Sequence, residues 1–431
     1  MRLHKENKVF KYLKAIVSLT LAGFCLIFTT MAQNSIVGKD TVKTRDLNDV
    51  IKKILKKKTD TTKIAKPPGF AILPSFGYNP SLGFVIGAKV AAGRQYGKPE
   101  NTDYSIYGLE ALYTSKGIIT VQARHNVFTT GNKWNLQGNW QLSRFGSIDY
   151  GIGTGKGTYN SNGFIINEYP SKNGDSAFPI KFNYIRLSEK VYYKIGPNLF
   201  AGGGISLDIR SKIADEKQSD SFNTPHQRYS QYYGFNPKKY SANGLLLALQ
   251  YNTREHPVRA YGGIYADVSL RFNQRWMGST KNAVQLQYDF RKYWPLSTRN
   301  PEHVVAFWHW ASYLLGGKLP YLELPSTGSD TYARSGRAYT IGRFKGPAYA
   351  YFETEYRFPI TRDKLISGIC FVNTQSASDG LGKKVFSAWD FGTGAGLRIL
   401  FQKESRSTLC IDFATGNYGS KGIFFGLNEV F

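Results

Sequence analysis

From Gly69 to Phe431 the chain alternates apolar and polar residues with a period of two. Trp134, Leu136, Trp140 and Leu142 alternate with Asn135, Gln137, Asn139 and Gln141. Ile205, Leu207 and Ile209 do the same with Ser206, Asp208 and Arg210, as do Ile264–Leu270 and Val284–Phe290 with the residues between them. Successive side chains on a strand point to opposite faces, so this pattern dictates β-structure with one apolar and one polar face. The runs are about 10–14 residues long, closer to a tilted membrane-crossing strand than to the usual 5–6. Their polar faces carry Arg opposite Asp, which suits a hydrated or plugged lumen. A soluble sandwich also alternates, but with its apolar face inward. The expected fold is all-β, an antiparallel transmembrane barrel with its apolar face outward.

Composition agrees. With 29 Tyr, 28 Phe and 44 Gly, the chain has the material for aromatic girdles and glycine-tolerant walls. Its net charge of +26 is spread among the strand-like segments instead of being gathered into arms, so nucleic acid is not the expected partner. Cys370 and Cys410 both point inward by strand parity, two strands apart. At ~4.8 Å per strand that is about 9–10 Å, beyond the roughly 7 Å that a disulfide tolerates, so free thiols are expected. Cys and His residues show no ligand spacing, and neither a metal nor a cofactor is expected. No catalytic residues are assigned. Gly151–Thr158 is glycine-rich but lacks phosphate-loop spacing, and no nucleophile elbow or zincin motif occurs. Catalytic groups can still meet across strands without a local motif, so an enzymatic barrel stays among the alternatives.

Three regions are expected. Residues 1–32 read as a secretory signal: Arg2, Lys5, Lys8, Lys11 and Lys14, then an apolar run Ala15–Phe28, then cleavage near Ala32/Gln33. Residues 33–68 read as a periplasmic linker. Within it Asp46 caps a short helix with Leu47, Val50, Ile51, Ile54 and Leu55 on one face. Lys52, Lys53, Lys56, Lys57 and Lys58 crowd the rest, giving either a solvated linker helix or one that lies on a membrane surface. Residues 69–431 form the barrel, in an outer membrane of the Gram-negative type.

Sixteen strands are expected, near 69–78, 81–92, 102–114, 117–128, 133–143, 180–195, 198–212, 240–253, 261–276, 281–293, 302–315, 347–359, 364–374, 384–402, 406–415 and 421–431. Gly146–Gly155 also looks strand-like. An even count with both termini periplasmic instead makes 144–179 a long outer loop that extends a hairpin, and places 213–239 and 316–346 outside as well. Pro74 cannot donate to a ladder, so the first strand is read as an edge. In the last strand Ile423, Phe425, Leu427 and Phe431 share one face, and the terminal aromatic reads as an insertion signal.

Gly69–Val90, Tyr251–Leu270, Gly336–Ile360 and Gly394–Phe431 together resemble the BamA/TamA family, the bacterial surface antigen barrel. The resemblance implies sixteen strands and a sixth outer loop folded back into the lumen. That loop carries a V-R-G-[FY] motif whose arginine pairs with acids on the inner wall. The matching stretch here is Arg337-Ala338-Tyr339, followed by Gly342-Arg343-Phe344. Ala338 replaces the family glycine, so either Arg337 or Arg343 is the docking residue. The family's F-x-D-x-G wall motif reads Phe371-Val372-Asn373-Thr374-Gln375. Asn373 replaces the aspartate, so Glu353, Glu355, Asp390 and Asp412, inward by parity, are the candidate partners. The stretch Gln33–Pro68 is too short for the POTRA domains of assembly-competent members.

The function this implies is non-enzymatic: outer-membrane protein or lipid assembly or translocation, through a seam that opens laterally while the inward loop plugs the pore. A passive or gated solute pore is the alternative, and a lipid-modifying enzyme the second. The expected partners are outer-membrane lipids, phospholipid or lipopolysaccharide, and periplasmic or outer-membrane assembly proteins. The barrel is expected to be monomeric.

Overall fold

The alternating segments become one sheet of sixteen antiparallel strands, each paired with the next in sequence. The computed structural model describes residues 44–54, 70–79, 83–155, 178–380, 384–403 and 405–431. Everything below belongs to the unit comprising Thr41–Ser297 and Pro301–Phe431. The leader expected at 1–32, and Lys56, Lys57 and Lys58, lie outside the described residues.

The strands are β1 (Phe70–Asn79), β2 (Gly83–Arg94), β3 (Ser105–Thr114), β4 (Ile119–Phe128), β5 (Trp134–Asp149), β6 (Phe178–Gly196), β7 (Leu199–Asp215) and β8 (Tyr240–Asn252). They continue as β9 (Gly263–Asn273), β10 (Ala283–Pro295), β11 (Val304–Gly317), β12 (Ala348–Pro359), β13 (Ile366–Ala377), β14 (Asp390–Gln402), β15 (Ser407–Gly416) and β16 (Lys421–Leu427). The barrel is inside-out relative to a soluble protein. Phe84, Leu142, Leu247 and Phe425 are 71%, 59%, 58% and 56% exposed, while Asn135, Asp208, Glu355 and Arg398 are fully buried. Large apolar side chains on an outer face stay there only if the surrounding medium is apolar. No helix among the described residues is long and apolar enough to cross a membrane; the strands do so.

β5 and β6 run 16 and 19 residues, and their pairing continues to Asp149↔Phe178. The strand-like look of Gly146 is therefore an overhang of this hairpin and not a seventeenth strand. The long connections 150–177, 216–239 and 318–347 all leave from one end of the sheet, which is the outer end by the rule that periplasmic turns are short. In the second of them a helix, which we call α2 (Pro225–Tyr233), starts at Thr224, whose hydroxyl accepts from the Gln227 amide, and stops at Gly234 with φ of +66°. Its Tyr229 packs with Phe235, Leu319, Tyr321 and Leu324 and covers part of the outer mouth.

At the opposite end lies α1 (Leu47–Ile54). Asp46 Oδ1 accepts from the Asp49 amide (2.9 Å) and Asp49 Oδ2 from the Asp46 amide (3.3 Å), a reciprocal capping box. The same two carboxylates hold the turn after β14, accepting from the Lys403 amide (3.1 Å) and Lys403 Nζ (2.8 Å). The helix is thus strapped to the short-turn end with Ile51, Lys53 and Ile54 exposed.

Two inside/outside assignments need correction. Phe431 does not share the outer face of Ile423 and Phe425. β16 ends at Leu427, Asn428 takes φ of +68°, and the following residues turn inward. Phe431 is buried, its ring 5.3 Å from that of Trp308 and 6.3 Å from that of Tyr293. Cys370 also points outward, because Phe371, Asn373 and Gln375 hold the inward positions of β13. Cys410 is buried and inward, and both thiols are free. In detergent-folded protein a small membrane-permeant thiol reagent is expected to modify Cys370 ahead of Cys410, which it should reach only after denaturation, as peptide mass spectrometry would report. Equal labelling of the two would reverse the β13 assignment.

Candidate functional site: the inward loop and its arginine dock

Residues 318–347 do not extend outward. They descend into the lumen and are tied to the wall at successive heights. Near the mouth, Lys345 Nζ reaches Asp149 (2.6 Å), whose carboxylate also accepts from the Tyr321 hydroxyl (2.9 Å). Deeper, Thr327 donates to Gln375 (3.1 Å), and Asn139 of β5 donates to the Thr331 carbonyl (2.8 Å). Asp330 folds the loop tip locally by accepting from the Arg334 and Ser335 amides (3.0 and 2.8 Å).

The tip presents Arg337. Its guanidinium meets both Glu353 and Glu355 of β12, and also Asp412 of β15 (3.3 Å). It sits over the Phe371 ring, 3.6 Å from the centroid. All three acids are buried, so the planar fork is used for several charge-assisted bonds at once where water is scarce. Burial works against the Arg337 charge, but Glu353 and Glu355 outweigh it and raise its pKa above the ordinary arginine value.

Asn373 does not supply a missing charge. Its amide donates to the Arg337 carbonyl (3.1 Å), so it holds the loop backbone while the glutamates hold the side chain. Asp390, though inward and buried, does not meet Arg337. It accepts from the Gly155 amide (2.7 Å) and from Asn417 (2.9 Å). The guanidinium of Arg343 faces the rings of Tyr150, Phe344 and Tyr418 at 4.4–5.3 Å. Tyr339 donates to the Phe391 carbonyl and accepts from the Asn417 amide (2.8 Å), and its ring packs edge-on against Phe344. Two wall glycines allow this approach. A Cβ at Gly392 would lie 2.9 Å from the Arg337 carbonyl, and one at Gly416 would lie 2.6 Å from the Tyr339 ring.

Ala338 adopts φ of +85°, the conformation that glycine takes without strain. The turn is therefore kept despite the missing glycine, at a cost. Ala338→Gly is expected to stabilise the docked loop by about 0.5–1 kcal/mol, because the relief of strain exceeds the added chain entropy. A slower rate of loop cleavage in limited proteolysis would show it, and a faster rate would mean that the turn is not strained.

The dock extends further than Arg337 and its acids. Arg357 donates to Glu355 (2.7 Å) and to the Phe431 carbonyl (2.8 Å), and Arg398 joins Asp412 (2.5 Å) to Glu429 (2.7 Å). Arg259 pairs with Glu302 (2.7 Å) and reaches Glu429 at 3.3 Å. Arg334 of the loop donates to the carbonyls of Leu427 (3.2 Å) and Glu429. The sequence reading missed this second tier. Arg357 was within reach, since it continues the parity of Glu353 and Glu355. Glu429 was not, because it follows the break at Asn428.

β1 pairs with β2 throughout, Pro74 opposite Ala88. β1 and β16 lie side by side, yet among the described residues no ladder joins them.

Sixteen antiparallel strands, an apolar exterior and an outer loop pinned inside a charged lumen define an outer-membrane β-barrel with an internal plug. The chain belongs to the Omp85 superfamily, whose domain matches residues 86–427. Among solved structures it is similar to BamA from Haemophilus ducreyi lacking POTRA domains 1-3, at 13% identity over 94% of this chain and 77% of that one, with a TM-score of 0.49. It is also similar to CdiB from Escherichia coli, at 8% identity over 85% of this chain and 63% of that one, with a TM-score of 0.51. CdiB from Acinetobacter baumannii aligns at 10% identity over 83% and 58%, with a TM-score of 0.47. The chain thus spans less than two thirds of either CdiB chain, and at these identities the likeness concerns the fold alone. No curated protein matches.

Proposed function

We propose that this barrel serves outer-membrane protein or lipid assembly or translocation without enzymatic chemistry. The observation that carries this reading is the plug: Arg337 is held by Glu353, Glu355 and Asp412 in the middle of the lumen. A steady solute pore needs a water path where residues 318–347 lie. The route that remains is lateral, at the β1/β16 seam, where a strand edge carrying Pro74 faces a last strand of seven residues. A substrate strand or a lipid would enter there while the plug keeps the membrane sealed. Membrane lipids are direct partners in this scheme, with periplasmic or outer-membrane assembly proteins acting on a monomeric barrel. α1 would rest Ile51 and Ile54 on the inner surface of the membrane.

Two measurements test it. Single-channel recording of the wild-type barrel should give no large, steady, solute-sized current. Site-specific photocrosslinkers on β1 and β16 should capture envelope proteins or lipids in cells, in preference to the same probe on β8. A large open conductance with no seam-specific adduct would favour a solute pore.

A further inference from the structure

The outer rim above β7–β10 gathers cations that no acid among the described residues neutralises. Lys212 interrupts β7 with φ of +51° and is exposed. The Ile213 amide donates to the Lys238 carbonyl (3.1 Å), which sets Lys212 beside Lys238 and Lys239. The β9–β10 connection joins them: the Thr280 amide donates to the Ser241 carbonyl (3.0 Å), and the Ser241 hydroxyl to Gly278 (2.5 Å). At its tip stand Arg275 and Trp276, the latter 74% exposed. Lys212, Lys238, Lys239 and Arg275 are all exposed, and none has an ion-pair partner among the described residues.

Among the described residues, two of the nearby acids are engaged elsewhere. Asp215 is buried against His226 (2.8 Å) and Gln227, and Glu216 pairs with Lys181 (2.5 Å). Asp220 is the remaining acid of the 216–239 connection. Below the cations, on the outer face of the same strands, lie Leu245, Leu247 and Leu249 of β8, Ile205 and Ile209 of β7 and Val268 of β9, all exposed. Lys239 continues the outward parity of the three leucines. The strip therefore sits where the apolar band ends, at the level of outer-leaflet headgroups. There long basic side chains reach phosphates while their stems stay on hydrocarbon, and an exposed tryptophan finds its preferred depth.

We propose that Lys212, Lys238, Lys239 and Arg275, with Trp276 as the membrane-level anchor, bind the phosphates of a diphosphorylated glycolipid of the outer leaflet. The four cations come from three neighbouring strand ends, a width of roughly 10 Å at about 4.8 Å per strand. One phosphodiester covers only part of that width, whereas a rigid disaccharide with a phosphate at each end spans it. Such an array is expected to bind more weakly as salt rises. The inference goes beyond assembly or translocation and does not depend on it, since it needs only the orientation of the barrel.

The test is native mass spectrometry of the detergent-folded protein titrated with diphosphoryl lipid A, monophosphoryl lipid A or phosphatidylglycerol. The wild type should retain diphosphoryl lipid A at least tenfold better than either of the others. The variant K212Q/K238Q/K239Q/R275Q should lose that preference while keeping its heat-modifiable migration, and Trp276→Ala should weaken retention without changing the order. A matched quadruple Lys/Arg→Gln variant at another part of the barrel surface should bind as wild type. Equal retention of the three lipids, or an unchanged preference in the rim variant, overturns the assignment. A rim variant that fails to fold is replaced by the pairs K212Q/R275Q and K238Q/K239Q, each of which should reduce the preference several-fold.

Discussion

Arg337→Ala is expected to weaken the docked state by about 3–5 kcal/mol, the scale for removing one partner from a buried ion pair. Three buried carboxylates then face one another across the lumen with Arg357 and Arg398 as their remaining cations. The loss should appear in the loop and not in the wall, because the strand ladders do not pass through Arg337. Residues 318–347 should therefore become readily cleaved in limited proteolysis and the barrel leakier in bilayer recordings, with the heat-modifiable shift retained. Arg337→Lys should recover part of the protection, since an ammonium satisfies one carboxylate but cannot serve Glu353, Glu355 and Asp412 from one plane. Arg343→Ala should have the smaller effect, as its guanidinium faces aromatic rings. A loop equally protected in wild type and Arg337→Ala would remove the plug from the proposed mechanism.

The second large effect concerns the lipid face. Leu286 points outward from β10, half-exposed, and Gln287 points inward beside Gln285 and Asp289. Leu286→Arg should cost about 2–4 kcal/mol near the bilayer midplane, because the charge must be carried into hydrocarbon. Gln287→Arg moves the same charge by one residue into a polar lumen and should cost far less. Folding into vesicles across a urea series, followed by gel mobility, separates the two. Equal midpoints would mean that β10 has the opposite facing.

How far the sequence reveals this molecule depends on what kind of interaction fixes each part. Strand existence and facing are set by the medium on either side. They therefore leave an imprint at every second residue, and Trp140, Leu247 and Asp208 are legible without coordinates. That imprint is blind to where the membrane ends. The β5–β6 hairpin keeps alternating past the bilayer because a free-standing ribbon also has two faces, so it takes the even strand count to suggest the overhang and the pairing to fix its extent. It is equally blind to a single backbone reversal. Asn428 in a left-handed conformation breaks the period, and everything after it changes sides, which is why Phe431 and Glu429 lie inside. Cys370 is a simpler case: parity counted from Phe371 or Asn373 places it outward. The dock was readable as a set of candidate charges, Arg337 or Arg343 against Glu353, Glu355, Asp390 and Asp412. Which members meet depends on where a long loop comes to rest, and no local periodicity records that.

The way Arg334 holds the last residues has a bearing on how this part of the chain tolerates change. It grips main-chain carbonyls of Leu427 and Glu429, and a carbonyl is present whatever side chain the residue carries. Substitution at 427 or 430 should therefore leave the tether between plug and terminal segment intact. At 429 and 431 the side chain itself is read, by Arg398 and by Trp308. Leu427 on the outer side and Val430, packed against the core around Trp308 and Phe431, thus need only an apolar side chain. Positions 429 and 431 are held to one chemistry, and a deep mutational scan of 427–431 should trace that difference.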